Sequence, residues 1–532
     1  MRSVPAPARL PCRFSGRRRE GALRARLLAL GAVASIGLAA CTVGPDYRTP
    51  NAGLPATFAA FPASRSTKPL DRHSPTDSAQ WWRALHDREL NSLIERAIAG
   101  SPTLEVALSR IQQARAQEAV VIGFALPAAE ASGGGGWGTG SDLARGRASQ
   151  PLVSAENGTG FSQVTSIVGF DAGWELDLFG KFRRAIEAAH YDVQAAMAAR
   201  NVVLISLVAD VARAYLDLRA SQMRLAVLRK DIEVARRYVD FVSERLDRGI
   251  SNELDVTLAR RELAQLESQV APLSAQIDAA RYVIAVLIGE FPEALGKELA
   301  KPGTLPILPE RVRPGLPIDL LRRRPDIEEA ERQLASATAF IGVATADLFP
   351  QVAILASVGT QQGLGVTPAA INPIWSIGPG AVAPLLDFGR LDALVLRADY
   401  RTRELLFAYR QTVLNAVREV DTAVDAFAAE QSRVRHLNDA LIAAQRAVKL
   451  AQERFDRGLT DSLNVIDAQR QEFQIEQQRL VAQQSAAAQF VTLYKSLGRG
   501  WEPYQSIPPI PRPMPAFIAA LRRLEQQHRP AP

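Results

Sequence analysis

The chain has 532 residues, 47% hydrophobic and 22% charged, with a formal net charge of +7. That charge is local: residues 1–40 hold eight arginines and one glutamate, and without them 55 basic and 55 acidic residues remain. A neutral body offers no broad basic face for nucleic acid, and two cysteines, Cys12 and Cys41, leave no intramolecular disulfide once the leader is removed.

Residues 1–40 read as a secretion signal. Arg17, Arg18, Arg19, Arg24 and Arg26 form its basic part, and 27–40 is an apolar stretch too short to span a bilayer. Leu38-Ala39-Ala40-Cys41 looks like a bacterial lipobox, which makes Cys41 the lipid attachment site and the first mature residue. Thr42, rather than an aspartate, follows it and favours the outer membrane. Residues 41–79, rich in Pro, Ala, Ser and Thr, read as a lipid-anchored extended segment. Past the leader no run of 18 apolar residues occurs, so any membrane crossing is expected from strands.

A first unit is expected over 80–300. Helical spacing begins at Trp81-Trp82 and continues through Leu90, Leu93, Ile94 and Ala97; Pro102 opens a second helix and Pro127 ends it. Strands are expected at about 128–141 and 164–176. In the second, Val168, Phe170, Ala172, Trp174 and Leu176 share a face, and Trp174 suits an interfacial girdle. Residues 181–248 contain no proline and would span about 100 Å as a helix. With the following arm they form a helical hairpin over 181–288, in which Pro272 predicts a kink.

The second unit, 301–500, has candidate strands at about 351–361 and 375–385 and a hairpin over 390–497. A heptad stripe there runs through Ile466, Phe473, Leu480, Ala487 and Tyr494. Residues 501–532 are proline-rich and end in a short helical pattern. The two units read as copies. Pro102 and Pro127 match Pro325 and Pro350 at an offset of 223; Phe179-Gly180-Lys181 matches Phe388-Gly389-Arg390 at 209. At the second offset Arg248-Gly249-Ile250 matches Arg457-Gly458-Leu459. Each glycine is placed to stop one arm, and Ser251-Asn252-Glu253 or Thr460-Asp461-Ser462 to start the next. The candidate partner-contacting tips are therefore Arg248, Gly249, Ile250 and Ser251, and Arg457, Gly458, Leu459 and Thr460.

The fold class is mixed α and β, mainly α: long antiparallel helical hairpins plus four transmembrane strands per chain, with an internal two-fold repeat. Single-chain membrane barrels start at about eight strands, and an open edge is costly in hydrocarbon, so four strands imply an oligomer sharing one barrel.

The words Cys41-Thr42-Val43-Gly44-Pro45-Asp46-Tyr47, Trp174-Glu175-Leu176-Asp177-Leu178-Phe179-Gly180, Arg323-Arg324-Pro325-Asp326-Ile327 and Leu463-Asn464-Val465-Ile466-Asp467-Ala468 carry a resemblance. The chain resembles the TolC-like outer-membrane efflux factors, in their lipoprotein branch. The resemblance implies a homotrimer with a 12-stranded barrel and a periplasmic α-barrel. It also implies docking to a periplasmic adaptor (membrane fusion) protein and to an inner-membrane pump, often of the RND class. It places a periplasmic gate at Asp255, Asp461 and Asp467, of which Asp467 matches a gate acid and Asp461 has no firm counterpart. Asn464 and Thr460 stand where the family carries an acid and a base.

Other classes stay open on the residues alone. A lipid-anchored periplasmic scaffold or adaptor would keep the hairpins without a pore, and a protein-secretion duct would share every feature above. Enzymatic function is not expected. His73, His86, His190, His436 and His528 have no metal-ligand spacing, and neither a P-loop nor a Gly-x-Ser-x-Gly word occurs. No cofactor or metal is expected.

Overall fold

The computed structural model describes residues 42–51, 53–55, 57–60, 79–139, 162–250, 252–309, 317–364, 371–460 and 462–505. Cys41, Ser251, Asp461 and the tail beyond 505 lie outside the described residues.

The elements in chain order are α1 (Arg88–Gly100), α2 (Pro102–Phe124), β1 (Ala128–Thr139), β2 (Ser162–Leu176), α3 (Lys181–Asp247), α4 (Glu253–Glu267) and α5 (Val270–Leu287). There follow α6 (Pro317–Arg323), α7 (Pro325–Ala346), β3 (Gln351–Leu364), β4 (Ile371–Val382), α8 (Arg390–Asp456) and α9 (Ser462–Ser496). Pro102 and Pro325 each occupy the first helical position, where the missing N–H costs nothing. Helices α3 and α8 are both 67 residues long. Their starts are differently capped. Asp177 accepts from the N–H groups of Phe182 and Arg183, at 3.2 and 2.9 Å. Asp387 accepts from those of Gly389 and Leu391, at 3.1 and 2.8 Å.

The break in the first hairpin falls just before Pro272. Helix α4 stops at Glu267 and α5 begins at Val270, because the proline at its third position has no N–H for the Ser268 carbonyl. Helix α9, with Val481 at the matching position, is unbroken.

The chain divides into two compact units, each drawn from separated stretches. A strand unit takes Met1–Tyr47, Glu118–Ala189 and Ser336–Thr402; a hairpin unit takes Arg48–Gln117, His190–Ala335 and Arg403–Pro532. The strand unit holds one antiparallel sheet in the order β1-β2-β3-β4. Strands β3 and β4 depart from the expected limits by up to four residues, where glycine and proline between them blur the ends.

The core of the hairpin unit is aromatic and aliphatic. Trp81 stacks on Tyr494, with centroids 5.2 Å apart, and meets Trp82 and Phe490 edge-on, both at 5.8 Å. Leu204, Val208, Val211 and Leu216 of α3 are buried in the same cluster. Helix α3 carries an 18-residue window with a mean hydropathy of 1.6, high enough for a membrane span, and 56% of that window is buried within the protein. A core helix meets that description. A second such window lies in 253–287, at 1.3 and 22% buried; Tyr282, Val283 and Val286 in that stretch are exposed.

Candidate functional site

In the strand unit, strand alternation sorts side chains by chemistry. Phe170 faces Val358, and Val358 faces Trp375; Trp174 faces Ile354; Ala356 faces Ile377. Register partners share a face, so these residues form one apolar band. It is uncovered: Val168, Phe170, Val358, Trp375 and Ile377 are all more than half exposed. The opposite face carries Glu130, Ser132, Asp171, Glu175, Ser357 and Ser376. There Ser132 donates to Asp171 at 2.7 Å, and the Ser357 and Ser376 hydroxyls pair at 2.8 Å. Water on the apolar band would be unfavourable by roughly 25 cal/mol per Å². A sheet apolar on one face and polar on the other is the pattern of a barrel wall between lipid and an aqueous lumen. Trp174 donates its indole N–H to the Ala125 carbonyl at 3.1 Å, anchoring the ring where α2 gives way to β1.

The middle of the β2–β3 pair is unusually close. Gly169 faces Gly359, and a Cβ on either would sit 2.7 Å from a carbonyl oxygen of the other strand. Only glycine fits there, which permits strong local curvature.

The segment after Cys41 is pinned to the same unit. The Val43 N–H donates to the Phe179 carbonyl at 3.1 Å. Arg184, 5% exposed, donates to the Val43 and Gly44 carbonyls at 3.2 Å each and pairs with Asp46 at 2.6 Å. Thr42 therefore lies against Gly180, in the turn between β2 and α3.

The hairpin unit contains both tips. Gly249 and Gly458 adopt φ of 72° and 69°. Each stops its helix through paired bonds: Gly249 to Leu246 and Ile250 to Arg245, Gly458 to Phe455 and Leu459 to Arg454, at 2.8–2.9 Å. Asn252 then caps α4 by accepting from the Asp255 N–H at 3.0 Å. Ile250, Leu254, Leu459 and Leu463 are more than half exposed around these turns. Arg248, just past the end of α3, is ion-paired to Glu244 in the last turn of that helix.

Of the expected gate residues, Asp255 lies in the first turn of α4, and Asp467 pairs with Arg470 of α9 at 2.7 Å. Asn464 donates to the Thr460 hydroxyl at 2.5 Å, a neutral bond across the turn.

Arg324 and Asp231 are buried charged groups to which the sequence alone assigns no individual role. Arg324 is 8% exposed and binds Asp326 at 2.6 Å, Glu419 at 2.9 Å and the Ser496 carbonyl at 2.9 Å. Asp231 is 5% exposed, with one carboxylate oxygen unpartnered. Burial, and then the charges of Glu476 and Glu472, push it up to about 7. Periodicity signals neither: Arg324 also binds Glu419 and the Ser496 carbonyl, far off in sequence, and the acids that act on Asp231 lie on α9.

A sheet with one exposed apolar face, continuous in the chain with long helical hairpins, fits the class of outer-membrane channel proteins. The chain belongs to the outer membrane efflux protein family, whose profile matches residues 93–290 and 316–499. It is 29% identical over 515 residues to nodulation protein T of Rhizobium leguminosarum bv. viciae, covering 94% of this chain and 98% of that one. It is 30% identical to the pyoverdine export outer membrane protein OpmQ of Pseudomonas aeruginosa, covering 87% and 95%. The solved outer-membrane channel OprN superposes with a TM-score of 0.76 at 34% identity, over 87% of this chain and all of that one. This protein is an outer-membrane efflux channel of bacteria.

Proposed function

We propose that three copies of this chain share one 12-stranded barrel and continue it into the periplasm as a helical duct. The observation that carries this reading is the open sheet. Among the described residues β1 and β4 each pair on one side only. In hydrocarbon those edges would leave a row of N–H and C=O groups unpaired, at several kcal/mol each. Neighbouring protomers, β4 of one against β1 of the next, supply the missing partners, and three sheets of four strands close the tube.

The internal repeat has the same support. Helices α3 and α8 begin and end at positions 209 apart, and the family profile matches twice. Two similar units, 80–300 and 301–500, thus each contribute two staves to the barrel and one hairpin to the duct. Cys41 is the lipid attachment site. Its neighbour Thr42 lies against Gly180 at the β2–α3 turn, which supports an anchor on the same side as that turn.

The duct performs no chemistry. Cargo consists of small molecules delivered by an inner-membrane pump, probed by analogy with the pyoverdine export and toluene efflux named for two relatives. The tips at 248–251 and 457–460 contact a periplasmic adaptor, and Asp255, Asp461 and Asp467 narrow the entrance. Adaptor binding opens it only so far as the adaptor binds the open state more tightly.

A Cys41→Ser variant, exported through a cleavable leader, tests the strand assignment. It is expected to resist alkaline washing of the membranes. Release into the wash would identify an anchored scaffold without a pore.

A further inference from the structure

Near the tips a single cation is held between two rings on different helices. Arg245, in the last turn of α3, places its guanidinium carbon 4.9 Å from the centroid of Phe455 and 5.7 Å from that of Phe241. Phe241 lies one turn back on α3, whereas Phe455 is the penultimate residue of α8. The rings meet edge to face at 6.1 Å and 70°, and Tyr238 extends the cluster at 6.4 Å from Phe241. Phe455 is only 8% exposed, although it stands three residues before the Gly458 turn. Partial burial strengthens the attraction of a ring face for a cation.

The same residues end the helices. The Arg245 carbonyl accepts from Ile250, and the Phe455 carbonyl from Gly458. The contact therefore joins the residue that closes one tip to the residue that closes the other. It is not duplicated by the repeat. At the 209 offset Leu450 stands for Phe241, Arg454 for Arg245, and Leu246 for Phe455. Both aromatic partners occur only in this arrangement, so the clasp is a product of the differences between the two hairpins.

We propose that Arg245 is a positioning residue whose cation–π clasp to Phe455 couples the two tips, so that loosening one loosens the other. Any use of this coupling in opening the channel rests on the tip assignment above; the coupling itself does not. Hydrogen exchange on the full chain in detergent tests it, with peptides spanning 246–252 and 455–461 as the readouts. Phe455→Leu, a change on α8, is expected to speed exchange in the 246–252 peptide about threefold. Arg245→Gln is expected to speed exchange in both peptides by a similar factor, and Arg245→Lys to keep most of the protection.

A role confined to local packing would move only the peptide of the substituted hairpin, and that result overturns the coupling. Equal loss in the Lys and Gln variants overturns the role of the cation. Should Phe455→Leu fail to fold, Arg245→Gln read at 455–461 decides alone. A wild-type protein that forms no pore but shows the cross-tip effect would reject the channel assembly and leave the clasp standing.

Discussion

Burial, reinforced by Glu476 and Glu472 of α9, raises the Asp231 carboxyl from its ordinary value near 3.8 to about 7. Lys230, its neighbour on α3, acts in the opposite direction. A group that binds its proton more tightly when folded stabilises the fold most below its unfolded pKa. That contribution is lost as pH rises from about 4 through about 7. The urea midpoint of the detergent-solubilised protein is thus expected to be higher at about pH 5.5 than at about pH 8, and Asp231→Asn to reduce the difference. An unchanged pH dependence in the variant would exclude this group. Asp467, proposed above as a gate residue, lies in an exposed ion pair: the Asp467–Arg470 side chains are 57% and 43% accessible. Such pairs contribute about 1 kcal/mol or less, so they hold no rigid latch but still set the local field. Asp255→Ala combined with Asp467→Ala is expected to raise single-channel conductance and weaken block by divalent cations. Conductance and block both unchanged in planar bilayers would reject the gate assignment. The sequence exposed the gate candidates through neighbouring words. It did not expose Asp231, whose repulsive neighbours come from a helix some 240 positions away.

Helices α3 and α8 end where a glycine permits a left-handed residue, and nothing lies within 4 Å of a Cβ built on Gly249 or Gly458. The cost of replacing either is therefore backbone strain alone, roughly 1–2 kcal/mol. Gly249→Val or Gly458→Val is expected to destabilise its own tip by that amount, measured by hydrogen exchange of the turn amides. No change would mean that the left-handed turn is not needed. These turns were legible from the sequence because glycine and capping polar residues are local signals. So were the long helices, from missing prolines and heptad stripes, and the break before Pro272. The pairing of β2 with β3 was not legible, since α3 to α7 separate the two strands in the chain and no local pattern specifies it. The Gly169–Gly359 contact follows from that pairing and was hidden with it.

Among the described residues the sheet presents an exposed apolar band, and β1 and β4 each pair on one side only. Alternating side chains in the sequence pointed to membrane strands, and their number pointed to sharing. The count of protomers came from family resemblance, because a single protomer's pattern does not encode it. The proposed association would hide those edges, which in hydrocarbon would otherwise leave backbone groups unpaired. The most direct measurement is single-particle imaging of the detergent-solubilised protein. The account predicts a hollow three-fold particle in which β4 of each protomer pairs with β1 of the next to close 12 strands. A monomer whose four strands fold into a self-contained domain would contradict it.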